Sequence, residues 1–528
     1  MIFPSLKEIK EIIKEDNYRR IPIAYEIMSD IKTPIEVLKI LKNSSKHCFM
    51  LESVEDLKRW GRYSILGFNP ILEISCENEF LQIKSYSDSS SISGSISGSN
   101  SISSSNSISS SDLSPNSSEN KNIIAKKTKN PGKYIKEIIF ENKAPNLPNL
   151  PPFTGGLVGY FAFDYIKYSE PSLNFDTGFV DNNESFKDVD LMLFDKVIVF
   201  DNYKQKMILI VNIKTENIEK EYKKASIELM NLVDLIENGK TIDEAKNRLK
   251  LKNDFKPLFS KEEYSKMVKK AKDYIKEGDI FQVVLSNPLS SDIEGSLLDT
   301  YRILRTTNPS PYMFYFSSDD MEIAGASPET LVKLHNKNLY TFPLAGTRPR
   351  GKDNLEDKKF EEELLSCEKE LAEHNMLVDL GRNDIGKLAE FGSVKLEKYL
   401  SIERFSHVMH IGSTVKGKLR KDKDFLDVID AILPAGTLSG APKIRACEII
   451  KELENNKRGI YGGAIGYISL SGNLDTCIAI RIAFSKNNKV FVRSGAGIVA
   501  DSVPKMEFEE CMNKAEAVLN ALKLAEDI

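Results

Sequence analysis

The chain has 528 residues, and its 73 lysines and arginines nearly balance 77 aspartates and glutamates, for a formal net charge of −4. Without a basic excess, we expect no nucleic-acid partner. The length predicts two to four domains, at roughly 100–200 residues each. No apolar run approaches the roughly 18–20 residues that cross a bilayer, so we also expect no membrane partner. The N-terminus has no apolar block of the kind found in signal peptides.

The six cysteines are scattered along the chain, with no C-x-x-C pair among them. Disulfide frameworks and zinc sites use regular cysteine spacings, which are missing here. We therefore predict reduced thiols and a cytoplasmic location.

Residues 85–118 differ in composition from the rest of the chain, with 20 serines in 34 positions. Such a stretch cannot bury enough apolar area to offset the entropy lost on ordering. We predict a disordered surface loop there. A tolerated insertion is favoured over a phosphorylated or docking segment.

Further along the chain, the pattern alternates between strands and helices. Residues 189–213 predict two strands joined by a polar turn, and residues 216–250 predict a charged helical tract. Ser260 to Glu263 fit a capping box, and apolar residues follow at helical spacing until Gly278.

Together these patterns predict a mixed α/β fold in two regions. Residues 1–250 form the N-terminal region, and residues 251–528 form the region that carries most of the candidate chemistry. The charged helical tract connects them.

Two pairs of glutamates stand out because each pair lies three positions apart in a helical pattern. Glu370 and Glu373 share one helix face, and Glu507 and Glu510 share a face of a second helix. Four carboxylates from two helices suit Mg²⁺, which prefers oxygen ligands. Glu-x-x-Glu is common on solvated helices, so the spacing alone favours an ordinary exposed face.

Four glycine-dense segments crowd the second region and are predicted as turns that present backbone N–H groups. None matches a phosphate loop or a dinucleotide-binding loop. Their number, together with nearby basic side chains, favours a small anionic ligand. The segments are 343–351, 434–443, 458–467 and 494–502, and the basic residues are Arg348, Lys443, Arg481 and Lys514.

His407 and His410 form an H-x-x-H pair in a segment that is rich in β-branched residues. That composition argues against the helix that a two-histidine metal site would need. A structural histidine is the default for each, and acid/base work requires further support.

A series of specific strings appears in order from residue 255 to residue 520. The strings are GDIFQVVLS, NPSPYMFYF, GASPET, PLAGTRPRG, AEHNMLVDLGRNDIG, HVMHIGSTV, PAGTLSGAPKIRACEII, YGGAIGYISLSGNLDTCIAIR and GAGIVADSVPKMEFEE. This half of the chain resembles the chorismate-utilising enzymes, and among them the anthranilate synthase large subunits. The resemblance is thinner over residues 20–215, where only LES and GLVGYFAFD match.

The resemblance implies a sandwich of antiparallel sheets flanked by helices. It also implies that the protein makes anthranilate and pyruvate from chorismate and ammonia with Mg²⁺, in the first step of tryptophan biosynthesis. Chorismate carries two carboxylates, and a bridging cation explains how a site lined by glutamates binds it.

The resemblance further assigns roles to individual residues. It matches Glu329 to the acid that protonates the leaving ring hydroxyl, and His410, aided by Thr437, to the acid/base of pyruvate elimination. It matches Glu373 and Glu510 to the metal ligands, with Glu370 and Glu507 close behind them. The matched substrate-binding residues are Gly346, Thr347, Tyr461, Arg481, Gly495, Ala496, Gly497 and Lys514.

Two positions indicate which reaction of the family is carried out. Relatives that make 4-amino-4-deoxychorismate use a lysine where this chain has Ala345, and relatives that make isochorismate use a lysine where it has Gln282. Ammonia is then the consistent nucleophile. An aminodeoxychorismate synthase that works without its lysine is the alternative enzyme.

The ammonia source and the regulation are also implied. No cysteine has the G-x-C-x-G setting of a glutamine amidotransferase nucleophile. We therefore expect a separate glutaminase subunit and a hetero-oligomer.

Ser53 in LES and Pro311, Tyr312 and Met313 match the family's tryptophan-binding elements, which lie away from the active site. These predict feedback inhibition by tryptophan. A catalytically silent tryptophan-binding subunit is the alternative from another class.

Overall fold

The computed structural model describes five stretches of the chain, which are residues 2–53, 61–86, 122–173, 186–404 and 408–528. Almost all of the predicted serine-rich loop lies outside these stretches, and so does His407. All six cysteines lie within them and are free thiols.

Helices lie along both sheets and at their ends. They are α1 (Leu6–Glu15), α2 (Pro34–Ser44), α3 (Pro131–Glu141), α4 (Ile166–Ser169), α5 (Ile218–Asn238), α6 (Glu244–Asn247), α7 (Lys261–Glu277), α8 (Leu298–Thr307), α9 (Asn354–Ser366), α10 (Glu368–Gly386), α11 (Phe425–Ile432), α12 (Lys443–Glu454) and α13 (Pro504–Leu524). In the described stretches, none of them is both long and apolar enough to span a membrane.

Strands alternate with these helices along the chain. They are β1 (Ile2–Phe3), β2 (Arg20–Met28), β3 (Cys48–Glu52), β4 (Tyr63–Phe68), β5 (Leu72–Glu77), β6 (Phe80–Ser85), β7 (Asn122–Lys127), β8 (Gly156–Phe161), β9 (Val189–Phe194), β10 (Lys196–Asp201), β11 (Lys206–Lys214), β12 (Lys250–Leu251), β13 (Lys256–Pro257), β14 (Gln282–Glu294), β15 (Tyr312–Ser317), β16 (Met321–Ser327), β17 (Thr330–His335), β18 (Asn338–Thr341), β19 (Leu344–Pro349), β20 (Lys395–Arg404), β21 (Val408–Lys418), β22 (Gly440–Ala441), β23 (Ala464–Ser469), β24 (Leu474–Ile478), β25 (Ile482–Lys486) and β26 (Lys489–Ile498).

Across the described residues, these strands form one sheet of 14 strands and one of 12. The first runs in the order β1-β2-β11-β10-β4-β3-β15-β16-β25-β26-β14-β12, with β13 and β22 also on β14. The second runs β19-β21-β18-β17-β24-β23-β8-β9-β5-β6-β7, with β20 on β21. Neighbouring strands such as β14 and β26 pair antiparallel. The predicted mixed fold, a sandwich of antiparallel sheets flanked by helices, is confirmed.

The two sheets pack face to face through apolar side chains. Phe49 on β3 of the first sheet and Phe194 on β9 of the second are both buried, and their ring centroids are 4.7 Å apart in an edge-on arrangement. Aromatic pairs in this geometry stabilise a core beyond the area they bury. This shared core fixes the position of strands that come from distant parts of the chain.

The helix predicted from the capping box is confirmed as α7. The Ser260 side chain accepts a hydrogen bond from the Glu263 backbone N–H, and the Glu263 carboxylate accepts one from the Ser260 backbone N–H. Gly278 follows the helix with a φ of 86°, a left-handed conformation that favours glycine.

The prediction of two strands over residues 189–213 is wrong, because three strands are present. β9 belongs to the second sheet, and β10 and β11 belong to the first. Asp195 alone separates β9 from β10. The chain crosses between sheets at this single residue, so the sequence shows only the short polar interruption Asp195–Lys196 and no turn segment.

The boundary at residue 250 stays a prediction. Each sheet contains strands from both sides of that residue, since β3 pairs with β15 in the first and β8 with β23 in the second. The interleaved strands place residues of both regions in one framework.

Candidate active site

Both glutamate pairs lie on helices, as predicted. α10, which carries Glu370 and Glu373, packs on β19 and β21, while α13, which carries Glu507 and Glu510, packs on β26. Partial burial raises the pKa of Glu373, and the negative charges of Glu370 and Glu510 add to that rise. The charge of Glu510 on α13 therefore acts on Glu373 of α10, across the gap between the two helices.

The donor chemistry of this gap fits a hard divalent cation. All four side chains are carboxylates, and a cation would relieve the repulsion of Glu373 by Glu370 and Glu510. Glu510 is ion-paired with Lys514 at 2.7 Å, and Glu370 lies 3.5 Å from Arg348. Among the described residues, no three acidic, histidine or cysteine side chains already converge as a metal site.

A large cavity of about 910 Å³ lies beside α13. It is lined by predicted residues from several elements, which are Thr347, His410, Arg481, Glu507, Glu510 and Lys514. With Lys369, Asp501 and Glu509, which also line it, the cavity has three cationic side chains, four carboxylates and a histidine. The cations suit an anionic ligand, and the carboxylates suit a bound cation that would accompany it.

His410 lies on β21, and its surroundings define which ring nitrogen carries the proton. Its Nδ1 is 2.7 Å from the Gly346 carbonyl oxygen, and the Thr347 hydroxyl is 3.2 Å from the same nitrogen. Because a carbonyl only accepts, Nδ1 holds the proton and the lone pair of the neutral ring is on Nε2. Burial lowers the pKa of His410, which keeps the ring neutral and basic at pH 7.

Gly346 itself is required by its backbone. It has a φ of 65°, and a Cβ at this position would lie 2.7 Å from the Leu364 side chain. The glycine lets the chain turn so that its carbonyl faces His410. Its predicted role beside the substrate stays a prediction.

Glu329 lies between β16 and β17 and is held by hydrogen bonds at both ends. Its carbonyl accepts from the Ile478 N–H at 2.9 Å, and its Oε1 accepts from the Thr437 hydroxyl at 2.9 Å. Burial raises the pKa of Glu329 to about 7, against the opposing effects of the Thr437 hydrogen bond and the Arg481 charge. The group is therefore about half protonated near neutral pH, as a general acid needs.

Glu329 and Thr437 do not line the large cavity. They line a smaller one, of about 60 Å³, at the end of α11. The charges of Arg481 and Lys514, which line the large cavity, lower the pKa of Glu329. Charged side chains that line the large cavity therefore influence the protonation of Glu329 in the smaller one.

Arg481 lies in the connection between β24 and β25 with a φ of 51°, which is uncommon for a residue other than glycine, asparagine or aspartate. Its carbonyl accepts a hydrogen bond from the Ala326 N–H at 3.1 Å. A strained backbone position held in this way often belongs to a functional site.

The glycine segment around Gly495 is not a turn, contrary to its prediction. Gly495, Ala496 and Gly497 all lie in β26. A Cβ on Gly495 would be 2.6 Å from the Leu285 carbonyl oxygen and 3.0 Å from the Tyr461 hydroxyl. Glycine here permits close contact of β26 with its neighbours, and it places buried Tyr461 against the predicted substrate-binding backbone.

Lys514 and Lys443 differ in where they point. The Lys514 ammonium is 3.3 Å from the Gly495 carbonyl oxygen and faces the large cavity. The Lys443 ammonium donates to the Ile432 carbonyl at 2.8 Å. Lys443 thus stabilises the end of α11 and does not line that cavity.

The predicted tryptophan-binding strings lie on neighbouring strands. Met313 on β15 is opposite Glu52 on β3, and Ser53 directly follows β3. The Tyr312 hydroxyl donates to Asp475 at 2.9 Å. Pro311 lines the same large cavity as His410, so the two predicted sites adjoin at this point and are less separate than the resemblance implied.

The arrangement combines an acid whose pKa is about 7, a neutral histidine base, and a cavity lined by both cationic and carboxylate side chains. A family model described as chorismate binding enzyme matches residues 104–520. The chain belongs to the chorismate-binding enzyme family. This membership confirms the resemblance drawn from the ordered strings.

Several members of this family are similar to the chain over its full length. The anthranilate synthase component 1 of Acetivibrio thermocellus is 44% identical and covers 100% of both chains. That of Aquifex aeolicus is 42% identical and covers 99% of this chain and 98% of its own.

Solved structures agree with the fold. The anthranilate synthase component I of Streptococcus pneumoniae superimposes with a TM-score of 0.70 at 35% identity, over 93% of this chain and 98% of that one. The menaquinone-specific isochorismate synthase of Escherichia coli has a TM-score of 0.65 at 17% identity, over 98% of each chain, and shares the fold.

Sequence reasoning missed one group that this family member buries behind the site. Glu454, Arg458 and Arg493 form ion pairs at 2.6 Å in the interior. Arg458 opens one of the glycine-dense segments, but only the glycines of that segment attracted notice. No spacing in a single sequence marks three charges as partners.

Proposed function

We propose that this protein catalyses the formation of anthranilate and pyruvate from chorismate and ammonia, as the first step of tryptophan biosynthesis. The observation that carries the proposal is the pairing of Glu329, whose pKa is raised to about 7, with Thr437 next to a cavity lined by Arg481, Lys514 and neutral His410. The names of the 44% and 42% identical relatives support it. Six free thiols support the predicted cytoplasmic location.

Substrate binding rests on charge and on backbone groups. Arg481 offers a planar fork for one carboxylate of chorismate, and Lys514 offers a point charge. Thr347, Tyr461 and the strand from Gly495 to Gly497 complete the predicted contacts. Gly346 contributes indirectly, because its carbonyl orients His410.

The first chemical step replaces the ring hydroxyl. Ammonia forms a C–N bond at the ring carbon next to the carboxylate-bearing carbon, and the C–O bond of the hydroxyl breaks. Protonated Glu329 donates its proton to the departing oxygen, which leaves as water. Thr437 holds the carboxyl in place through its hydrogen bond.

The second step removes pyruvate and makes the ring aromatic. Nε2 of His410 accepts a ring proton while the C–O bond to the enolpyruvyl group breaks. The enolpyruvyl group gains a proton at its methylene carbon and leaves as pyruvate. The Gly346 carbonyl stabilises the imidazolium that forms, because it accepts from Nδ1.

Mg²⁺ is the proposed metal, held by Glu373 and Glu510 with Glu370 and Glu507 close behind. When bound, it supplies positive charge that neutralises a substrate carboxylate among these glutamates. The pKa of Glu373 is raised by burial and further by the charges of Glu370 and Glu510, and the contribution of these two neighbours supports the assignment.

The nature of two side chains separates this reaction from its alternatives. Ala345 is buried and carries no amine, so it cannot act as the covalent nucleophile of an aminodeoxychorismate synthase. Gln282 lies beside Gly497, where a Cβ would be 2.8 Å from the Gln282 amide nitrogen. An amide is not a base for water, which disfavours isochorismate as product.

The proposed function is tested by turnover. Purified chain with chorismate, Mg²⁺ and excess ammonium salt at mildly basic pH should give anthranilate fluorescence and one pyruvate for each chorismate consumed. Chorismate consumed without anthranilate would identify the aminodeoxychorismate alternative or another product. Chorismate left intact by folded chain would contradict the proposal and favour the silent regulatory subunit.

A separate glutamine amidotransferase subunit is the proposed physiological ammonia source. The relatives' designation as component 1 supports a partner subunit. We expect glutamine to replace ammonium salt only when that subunit is added. Turnover of glutamine by this chain alone would contradict the proposed heteromer.

Thr437→Val is expected to weaken the general acid without removing it. The hydrogen bond from Thr437 lowers the pKa of Glu329, so its loss should raise that pKa further. A weaker and less well oriented acid predicts a fall in kcat of about tenfold. The basic limb of the kcat/KM profile should move to higher pH. The control is Thr437→Ser, which keeps the hydroxyl and should keep the wild-type profile.

Tryptophan is the proposed inhibitor, bound at Ser53 and at Pro311 to Met313. The Thr330 hydroxyl donates to the Tyr312 hydroxyl at 3.1 Å, and Thr330 follows Glu329, which gives a short physical link between the two sites. We expect Ser53→Ala to raise the tryptophan concentration for half inhibition by about tenfold with kcat unchanged. Wild-type activity that tryptophan does not lower would contradict the inhibition.

A further inference from the structure

A buried cluster of three charged residues lies behind the predicted substrate site. Glu454 ends α12, Arg458 lies four residues later, and Arg493 lies on β26. Their side chains are almost fully shielded from solvent, with exposed fractions of 0%, 1% and 4%. A buried charge is costly unless it is fully paired, so a retained cluster of this kind requires a reason.

The Glu454 carboxylate is the centre of this cluster. Its Oε1 accepts from Arg458 Nη2 at 2.6 Å and from the backbone N–H and hydroxyl of Ser286 at 2.7 and 2.9 Å. Its Oε2 accepts from Arg493 Nη2 at 2.6 Å and from Arg458 Nε at 3.0 Å. The two carboxylate oxygens thus accept five hydrogen bonds, from donors on three different segments.

The two arginines extend the cluster to backbone near predicted site residues. Arg458 Nη1 donates to the carbonyl of Leu438, the neighbour of Thr437, at 2.6 Å, and its Nη2 donates to the Val284 carbonyl at 2.7 Å. The Arg458 guanidinium also stacks over the Phe163 ring, 4.5 Å from its centroid. Arg458 therefore fixes the loop that holds Thr437 against Glu329.

Arg493 contacts the segments that carry Gly495 and Tyr461. Its Nε donates to the Ser286 hydroxyl at 2.8 Å, and Ser286 is directly opposite Gly495 in the β14–β26 ladder. Its Nη1 donates to the Lys457 carbonyl at 2.9 Å, in the segment that leads to Tyr461. Arg493 therefore fixes the strand of Gly495 relative to Tyr461.

We propose that Glu454, Arg458 and Arg493 are positioning residues of the active site, which hold the Thr437 loop, Tyr461 and the Gly495 strand in one arrangement. This rests on the reaction proposed above. None of the three residues lines either of the two cavities described above. Small displacements of groups that bind substrate reduce rates strongly, so the cluster sets catalytic geometry through the backbone.

The two arginines should give different kinetic signatures. Arg493→Lys keeps a charge for Glu454 but loses the fork to Ser286 and Lys457, and it should raise the KM for chorismate at least about tenfold with a smaller effect on kcat. Arg458→Lys should instead lower kcat by about tenfold and move the basic limb of the pH profile, because it releases Thr437.

A matched control is available in the first sheet. Arg20 is buried, lies 3.5 Å from Asp195 and donates to the Asn212 carbonyl at 3.1 Å, away from either cavity. Arg20→Lys should lower the thermal unfolding temperature as the cluster variants do, with kcat and KM unchanged. If the cluster were only a scaffold, Arg493→Lys and Arg458→Lys would behave like this control, with a lower unfolding temperature and unchanged kcat and KM.

Ser286→Ala tests the cluster without disturbing its charges. It removes one hydroxyl between Glu454 and Arg493, and it should raise the KM and the calorimetric Kd for chorismate about threefold. If Arg493→Lys fails to fold, the KM and Kd of Ser286→Ala test the proposal in its place. The proposal would be overturned if Ser286→Ala and every folded cluster variant kept kcat, KM and Kd within about twofold of wild type. Wild-type chain that binds chorismate without making anthranilate would instead contradict the proposed reaction, and the Kd comparison would still test the cluster.

Discussion

Glu329→Gln should lower kcat by about a thousandfold and leave the KM for chorismate nearly unchanged. Glutamine keeps the shape of the side chain and can still accept from Thr437, but it has no proton to donate to the departing hydroxyl. General acid catalysis contributes roughly 10²- to 10⁴-fold, which sets this expectation. The measurement is initial anthranilate formation over a range of chorismate concentrations.

The same substitution should also change the pH profile. The pKa of Glu329 is raised to about 7, so the protonated form falls as the pH rises through that value. Wild-type kcat/KM should therefore decline above about pH 7 when free ammonia is held constant, and Glu329→Gln should lack this decline. The concentration of free ammonia must be held constant, because it rises with pH and would mask the decline of kcat/KM above pH 7.

Asp430 provides the control for Glu329. It is a second shielded carboxyl, and burial raises its pKa to about 6. It is not assigned to the site, so Asp430→Asn should leave kcat and the pH profile as in wild type. A decline above pH 7 that persists in Glu329→Gln would assign the acid to another group.

Removal of the metal should abolish turnover, and Glu373→Gln or Glu510→Gln should lower kcat/KM by about a thousandfold. A loss of this size corresponds to ~4 kcal/mol of transition-state stabilisation, within the several kcal/mol that a bound cation supplies. Activity should vanish in chelator and return with added Mg²⁺. The variants should need far more Mg²⁺, and calorimetry should show weaker binding of the ion.

Glu373→Gln should also make the metal-free chain more stable at pH 7. The folded chain raises the pKa of Glu373 above its unfolded value, so the charged form is disfavoured by folding, and that penalty is present above both pKa values. A neutral amide removes the penalty and should raise the unfolding temperature in chelator. Loss of activity with loss of stability would instead indicate a scaffold role.

Exposed glutamates on the same helices serve as controls. Glu368 on α10 and Glu516 on α13 are exposed, and their substitution by glutamine should leave Mg²⁺ dependence unchanged. Full turnover of chorismate in the presence of chelator would contradict the metal assignment itself.

Much of this protein was predictable from local sequence. The capping box at Ser260 and the left-handed glycine at Gly278 define α7, because both signals act within one helical turn of their helix end. The three-residue spacing of the glutamate pairs placed them correctly on helix faces. The ordered strings identified the family. Ala345 stands where relatives that make 4-amino-4-deoxychorismate have a lysine, so this one position argued against that product.

Only the tertiary structure decided how those residues act. The strand that carries Gly495 was predicted as a turn, because its pairing partners lie about two hundred residues away in β14. The raised pKa of Glu329, the tautomer of His410 set by the Gly346 carbonyl, and the buried Glu454 cluster arise from burial and from contacts between distant segments. Caps and periodicity are properties of neighbouring residues, whereas desolvation and charge pairing depend on what the whole fold places around a group.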